Sequence, residues 1–149
     1  MEVSFYHLQR QPLDAALPVL LEKALERGWR AIVRGPVRER LEALDTHLWT
    51  YDDASFLPHG LAGAGPDPAE QPVLLTDGTD NPNGAACLFL LSGAPVDGYE
   101  GYTRTVLMFD GNDEDELAAA RAFWKDVKAA GHDATYWQQT DRGGWTRKA

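Results

Sequence analysis

The sequence predicts a single three-layer α/β domain, residues 1–149, built on a mainly parallel sheet flanked by helices, with a C-terminal hairpin or edge strand. Three observations carry this. Short apolar runs alternate with segments of helical period, which is the pattern of crossover-connected parallel strands. Two of the runs, Pro72–Thr76 and Ala86–Leu91, are apolar without alternation, as strands covered on both faces are. Finally, no internal repeat or linker divides the 149 residues, enough to bury about two-thirds of the unfolded chain's surface.

The elements follow in order. Val3 to Leu8 reads as a first strand, and Pro12 opens a helix whose apolar residues recur at Leu13, Ala16/Leu17, Leu20/Leu21 and Ala24/Leu25, stopped by Gly28. Trp29 to Arg34 is a second strand. Pro36 starts a second helix with Val37, Leu41, Leu44 and Leu48 on one side. Residues 60–71, rich in Gly, Ala and Pro, read as a surface loop. The runs at 72–76 and 86–91 are strands separated by turn chemistry from Asp77 to Gly84. Thr103 to Phe109 is a further strand. Asp113 to Ala130 is a long helix with acidic residues at its N-terminal end, where the helix dipole favours them. The tail from Asp133 through Gly143-Gly144 to Lys148 reads as a hairpin.

Composition narrows the function. The net charge of −9 disfavours tight, nonspecific contact with nucleic acid, although a local basic patch can act against an acidic background. The N-terminus lacks a basic region followed by a long apolar stretch, and the apolar runs are too short to span a bilayer; a soluble cytoplasmic protein without membrane contact is expected. The single cysteine, Cys87, lies inside an apolar run and reads as a small buried hydrophobe.

Catalytic and cofactor motifs are sought and mostly not found. A phosphate site after the first strand needs glycines, and Leu8-Gln9-Arg10-Gln11-Pro12 has none. A calcium loop starting at Asp77 would need glutamate where Leu88 stands, and one starting at Asp110 would need glycine where Asp115 stands. His7, His47, His59 and His132 show no metal-ligand spacing. No catalytic residue, metal or cofactor is therefore expected. The rival reading is an α/β nucleotide-binding module or small enzyme with its site at the carboxyl ends of the strands.

Two surfaces stand out. The segment from Leu48 to Gly60 gathers Trp49, Tyr51, Phe56 and Leu57 where Pro58 and Gly60 prevent long regular structure. An aromatic loop of this kind either plugs its own core or presents an apolar patch to a partner. On the last helix, Ala120, Phe123, Val127 and Ala130 form a core face. Arg121, Lys125 and Lys128 form a second stripe, and Trp124 falls between the two. The stripe reads either as a solvated helix face or as an anion-binding groove with an indole wall, suited to an acidic peptide ending in an aromatic residue.

With these surfaces marked, the chain resembles the chi subunit family of bacterial DNA polymerase III. The resemblance runs through Phe5-Tyr6-His7-Leu8, Leu44-Asp45-x-x-Leu48-Trp49, Ser55-Phe56-Leu57-Pro58-His59-Gly60, Gln71-Pro72-Val73, and the last helix with Arg121, Trp124, Lys125 and Gly131. It implies a Rossmann-like fold without a nucleotide site. It also implies a non-catalytic replication adaptor, linking the clamp-loader complex to single-stranded-DNA-binding protein through that protein's acidic, Pro-Phe-ended C-terminal tip. The implied tip-binding residues are Arg121, Trp124 and Lys125. A further basic family position falls on Leu117, for which Lys128 is the nearest substitute. The resemblance implies a second partner, the psi subunit or an equivalent, on Trp49, Phe56, Pro58 and His59, and DNA contacted mainly indirectly. The tail from Gln138 to Ala149 exceeds the shorter family members and stays unassigned between sheet closure and a separate interface.

Overall fold

The computed structural model describes residues 2–9, 11–50, 58–63, 67–142 and 144–149. Its elements run β1 (Glu2–Leu8), α1 (Leu13–Glu26), β2 (Ala31–Arg34), α2 (Arg38–Thr50), β3 (Gly60–Leu61), β4 (Val73–Thr76), β5 (Cys87–Leu91), β6 (Arg104–Asp110), α3 (Glu114–Ala129), β7 (Asp133–Gln139) and β8 (Trp145–Arg147). The strands form one sheet of order β3-β4-β2-β5-β6-β1-β7-β8. Each described pairing is parallel except β7 with β8, the antiparallel C-terminal hairpin.

Strand alternation divides the interior into two layers. Tyr6, Leu8, Val33, Phe89 and Met108 face α1 and α2, whose Leu17, Leu21, Leu41, Leu44 and Leu48 cover them. Val3, Phe5, Leu88, Leu90 and Phe109 face α3, which supplies Ala120, Phe123 and Val127. Burying each large side chain contributes about 1.5–3 kcal/mol, so the two layers hold the helices to opposite faces of the sheet.

Pro18 lies inside α1, where it cannot donate to the carbonyl of Asp14. The neighbouring helix satisfies that carbonyl: the His47 imidazole donates from Nε2 to Asp14 O at 2.6 Å, and Arg40 meets the Asp14 carboxylate at 3.0 Å. The turn after α1 closes with Gly28 at φ +80°, a conformation that side-chain-bearing residues rarely adopt. Arg34, fully buried on β2, donates from Nη1 to the carbonyls of Pro95 and Asp97 at 2.8 Å each, pinning the loop after β5.

Three local expectations change. Val37 is 52 % exposed, because α2 begins at Arg38, two residues after Pro36, and only Leu41, Leu44 and Leu48 turn inward. Ala130 is the exposed C-cap of α3 and not part of its core face. The segment 60–71 is not wholly irregular: Gly60–Leu61 adds a short parallel edge strand to β4, and Pro68–Glu70 forms a 3-10 turn.

Candidate functional site

α3 is anchored at its start by Asp113, whose carboxylate accepts from the amides of Asp115 and Glu116. Acidic residues fill its first turn and Lys128 lies in its last, matching the helix dipole at both ends. Ala120, Phe123 and Val127 seat it on the sheet, and Leu117 packs half-buried against the same core. This rotation fixes the other side chains. Arg121, Lys125 and Lys128 are all exposed, and Trp124 is half-buried at the boundary.

The indole of Trp124 is wedged, not free. Its ring lies 5.1 Å from Phe5 and 6.0 Å from Tyr136, both edge-on. Lys128 Nζ sits 5.7 Å above the ring, a cation–π contact. Among the described residues no carboxylate pairs with Arg121, Lys125 or Lys128. The result is a shelf of three unpaired cations beside an aromatic wall on a chain of net charge −9.

Two residues that the helical pattern alone does not reveal complete the floor. The parallel register of β1 with β7 sets Phe5 opposite Tyr136. The Tyr136 hydroxyl meets His7 Nδ1 at 2.5 Å, and the His7 ring packs against Phe109. Burial lowers the His7 pKa from its ordinary value; the Asp110 carboxylate opposes this and the Arg121 guanidinium adds to it. Burial raises the Tyr136 phenol, with Arg121 opposing. Arg121 therefore stands near enough to both groups to bias their charge. The only sequence signal for this contact is the apolar β1 run, which does not specify its neighbour.

The aromatic segment is described only in part, since Phe56 and the rest of 51–57 lie outside the described residues. Trp49, at the end of α2, is 53 % exposed. His59 is buried, its Nε2 3.2 Å from the carbonyl and 3.1 Å from the carboxylate of Asp45, and its ring 4.3 Å from that of Trp49. Pro58 is half-buried. His59 thus props the indole from beneath, and among the described residues of this group Trp49 faces outward.

A third feature is a crevice of about 660 Å³ at the carboxyl ends of β1, β2, β5 and β6, where the sheet order makes nucleotide binding a standing question. Its chemistry is unfavourable to phosphate. The backbone amides of Gln9 and Gln11, the donors a phosphate would use, both donate to Gln139 Oε1, at 3.1 and 2.9 Å. Among the described residues Asp110 and Glu116 line the opening against one cation, Arg40.

Cys87 is buried, and burial pushes its thiol up to about 12; a group so rarely ionised is a poor nucleophile at neutral pH. Among the described residues no cluster of three or more His, Cys, Asp or Glu is placed to hold a metal ion. No helix among them is long and apolar enough to cross a membrane.

Comparison with known proteins points to one family. Residues 1–135 match the family model described as DNA polymerase III chi subunit, HolC. The chain is also similar to a probable DNA polymerase III subunit chi of Rickettsia prowazekii (strain Madrid E), at 33 % identity over 95 residues. That alignment covers 64 % of this chain and 57 % of the relative's length.

Proposed function

The chain belongs to the DNA polymerase III chi subunit family, and from that premise we propose that it is a non-catalytic adaptor of the replication holoenzyme. In this reading α3 binds the acidic C-terminal tip of single-stranded-DNA-binding protein. Arg121 and Lys125 pair with the tip's carboxylates, and Trp124 walls the place of its terminal Phe. Lys128 serves where Leu117 supplies no charge. The observation that carries the reading is the wedged indole of Trp124 with Lys128 over its face and two further unpaired cations beside it.

The energetics divide the labour. Exposed ion pairs contribute about 0–1 kcal/mol each, whereas burying an aromatic ring contributes roughly 1.5–3 kcal/mol. The ring sets most of the affinity, and the cations set orientation and salt dependence. The exposed face of Trp49, with Phe56, Pro58 and the buried prop His59 around it in sequence, is the docking point for a psi-type clamp-loader partner. Working in that assembly, the chain acts in the cytoplasm and meets DNA mainly through its partners.

Calorimetric titration with an acidic peptide ending in Pro-Phe tests the reading. Submicromolar-to-micromolar binding that weakens with salt is expected; absence of heat at low salt rejects it. Thermal-shift screening with nucleotides tests the rival module, and a shift of several degrees would favour the crevice over α3.

A further inference from the structure

On the face of the sheet away from α3, a pocket of about 310 Å³ opens between the second half of α1 and the C-terminal hairpin, within the size range of ligand sites. Its walls are aromatic: Tyr6 from β1, Trp29 before β2, Trp137 from β7 and Trp145 from β8. Tyr6 and Trp137 lie nearly parallel, 16° apart, and Trp145 meets Tyr6 edge-on at 4.9 Å. Lys23 of α1, Arg27 at its C-cap and Arg104 of β6 also line it, and no carboxylate does.

The cations are set, not scattered. Arg104 donates to Ser4 Oγ at 3.0 Å and to the Tyr6 hydroxyl at 3.3 Å. Thr135 donates to the same Ser4 oxygen and accepts from the Trp137 indole, so one bonded chain fixes Arg104 and Trp137 together. Ser4 in turn donates to Glu2, which lies at the outer end of this chain and outside the lining. The Arg27 guanidinium covers the Trp29 ring at 5.2 Å. Among the described residues none of Lys23, Arg27 and Arg104 has a carboxylate partner. The hairpin register adds Arg147 directly opposite Trp137, on the same face.

Trp137, Trp145 and Arg147 all lie beyond residue 135, where the family match ends. The tail therefore adds two indole walls to a pocket whose other lining lies within the matched residues.

We propose that this pocket holds one nucleotide of single-stranded DNA, its base stacked on the indole walls and its flanking phosphates on Lys23, Arg27 and Arg104. The chemistry favours a strand over a duplex or an acidic peptide. Every base presents a π-face to an indole, a duplex hides that face, and an acidic peptide ending in one phenyl ring offers a single aromatic group to a pocket walled by Tyr6, Trp29, Trp137 and Trp145. The overall charge of −9 leaves contact to local basic spots such as this one, so binding is short-range and salt-sensitive. This site is on the opposite face from the α3 shelf and does not depend on it.

The test is fluorescence anisotropy of a labelled short oligothymidylate with the full chain at low salt. Binding is expected, with tryptophan quenching and a slope of log affinity on log salt of roughly −1.4, from about −0.7 for each of the two flanking phosphates. Lys23→Glu with Arg27→Glu, both exposed, should weaken it at least tenfold. Trp145→Ala should do so about fivefold or more, and Arg121→Glu with Lys125→Glu should leave it unchanged. No anisotropy change at low salt overturns the proposal. So does binding that Arg121→Glu with Lys125→Glu abolishes while Lys23→Glu with Arg27→Glu spares it. Displacement of the oligonucleotide by the acidic Pro-Phe peptide, in a chain that also loses the peptide on Lys23→Glu with Arg27→Glu, would assign the pocket to peptide instead.

Discussion

Replacing Trp124 with alanine separates the structural and binding roles of the indole. Half of a full aromatic burial is about 1 kcal/mol. The edge-on contacts with Phe5 at 5.1 Å and Tyr136 at 6.0 Å add about 0.5–1.5 kcal/mol each. Trp124→Ala should therefore lower unfolding stability by roughly 2–4 kcal/mol, within the ~5–15 kcal/mol of an ordinary domain. The variant stays folded but melts about 5–15 °C lower on the usual scaling of about 2–4 °C per kcal/mol. Peptide binding should fall roughly 10–150-fold, the equivalent of one aromatic anchor. Lys125→Glu supplies the contrast: its side chain is exposed and unpaired among the described residues, so stability should move by less than about 0.5 kcal/mol. Its binding should nevertheless drop several-fold at low salt. Urea denaturation and calorimetry on both variants read the two effects. A Trp124→Ala chain that binds the peptide as the parent does, or a Lys125→Glu chain that binds unchanged at low salt, refutes the reasoning.

Other expectations follow from the same geometry. Since Arg121 helps depress His7, Arg121→Ala should raise the His7 pKa in an NMR titration; no movement would place Arg121 away from the site. A His held below its ordinary value favours the fold when neutral, so His7 contributes stability above pH 6.5 that is lost as pH falls through its folded pKa; a urea midpoint flat from pH 7 to 5 in a chain lacking the other three histidines would contradict this. Cys87 runs the other way: raised from 9.0 to about 12, it contributes stability that is complete below pH 9 and is lost as pH climbs towards 12, and Cys87→Ala should flatten that alkaline decline in urea midpoints. His47→Ala should cost about 1–3 kcal/mol by stranding the Asp14 carbonyl, and much less alongside Pro18→Ala, where the restored amide can take that carbonyl; equal costs in both backgrounds would reject the coupling.

Much of this was legible in the chain because it is local. The period of 113–130 alone assembles Arg121, Lys125 and Lys128 beside Trp124, since one helix carries all four. The apolar runs at 72–76 and 86–91 betray central strands because both faces are covered. What stayed hidden depends on register and on distant pairing. Phe5, His7 and Tyr136 join the shelf only because β1 lies against β7. Trp29, Trp137 and Trp145 converge only once the hairpin folds over the sheet. Arg34 sits in a run that reads as an ordinary strand, yet it is fully buried because loop carbonyls 61 and 63 residues away receive it. β3 escaped notice because two residues, one of them a glycine, carry no alternation to detect.

The most direct trial of the adaptor reading is a crystal structure of the chain with the acidic Pro-Phe peptide bound. The account predicts the terminal phenyl ring against Trp124, with carboxylates beside Arg121 and Lys125. A peptide seated in the carboxyl-end crevice or between α1 and the hairpin, leaving α3 bare, would contradict it.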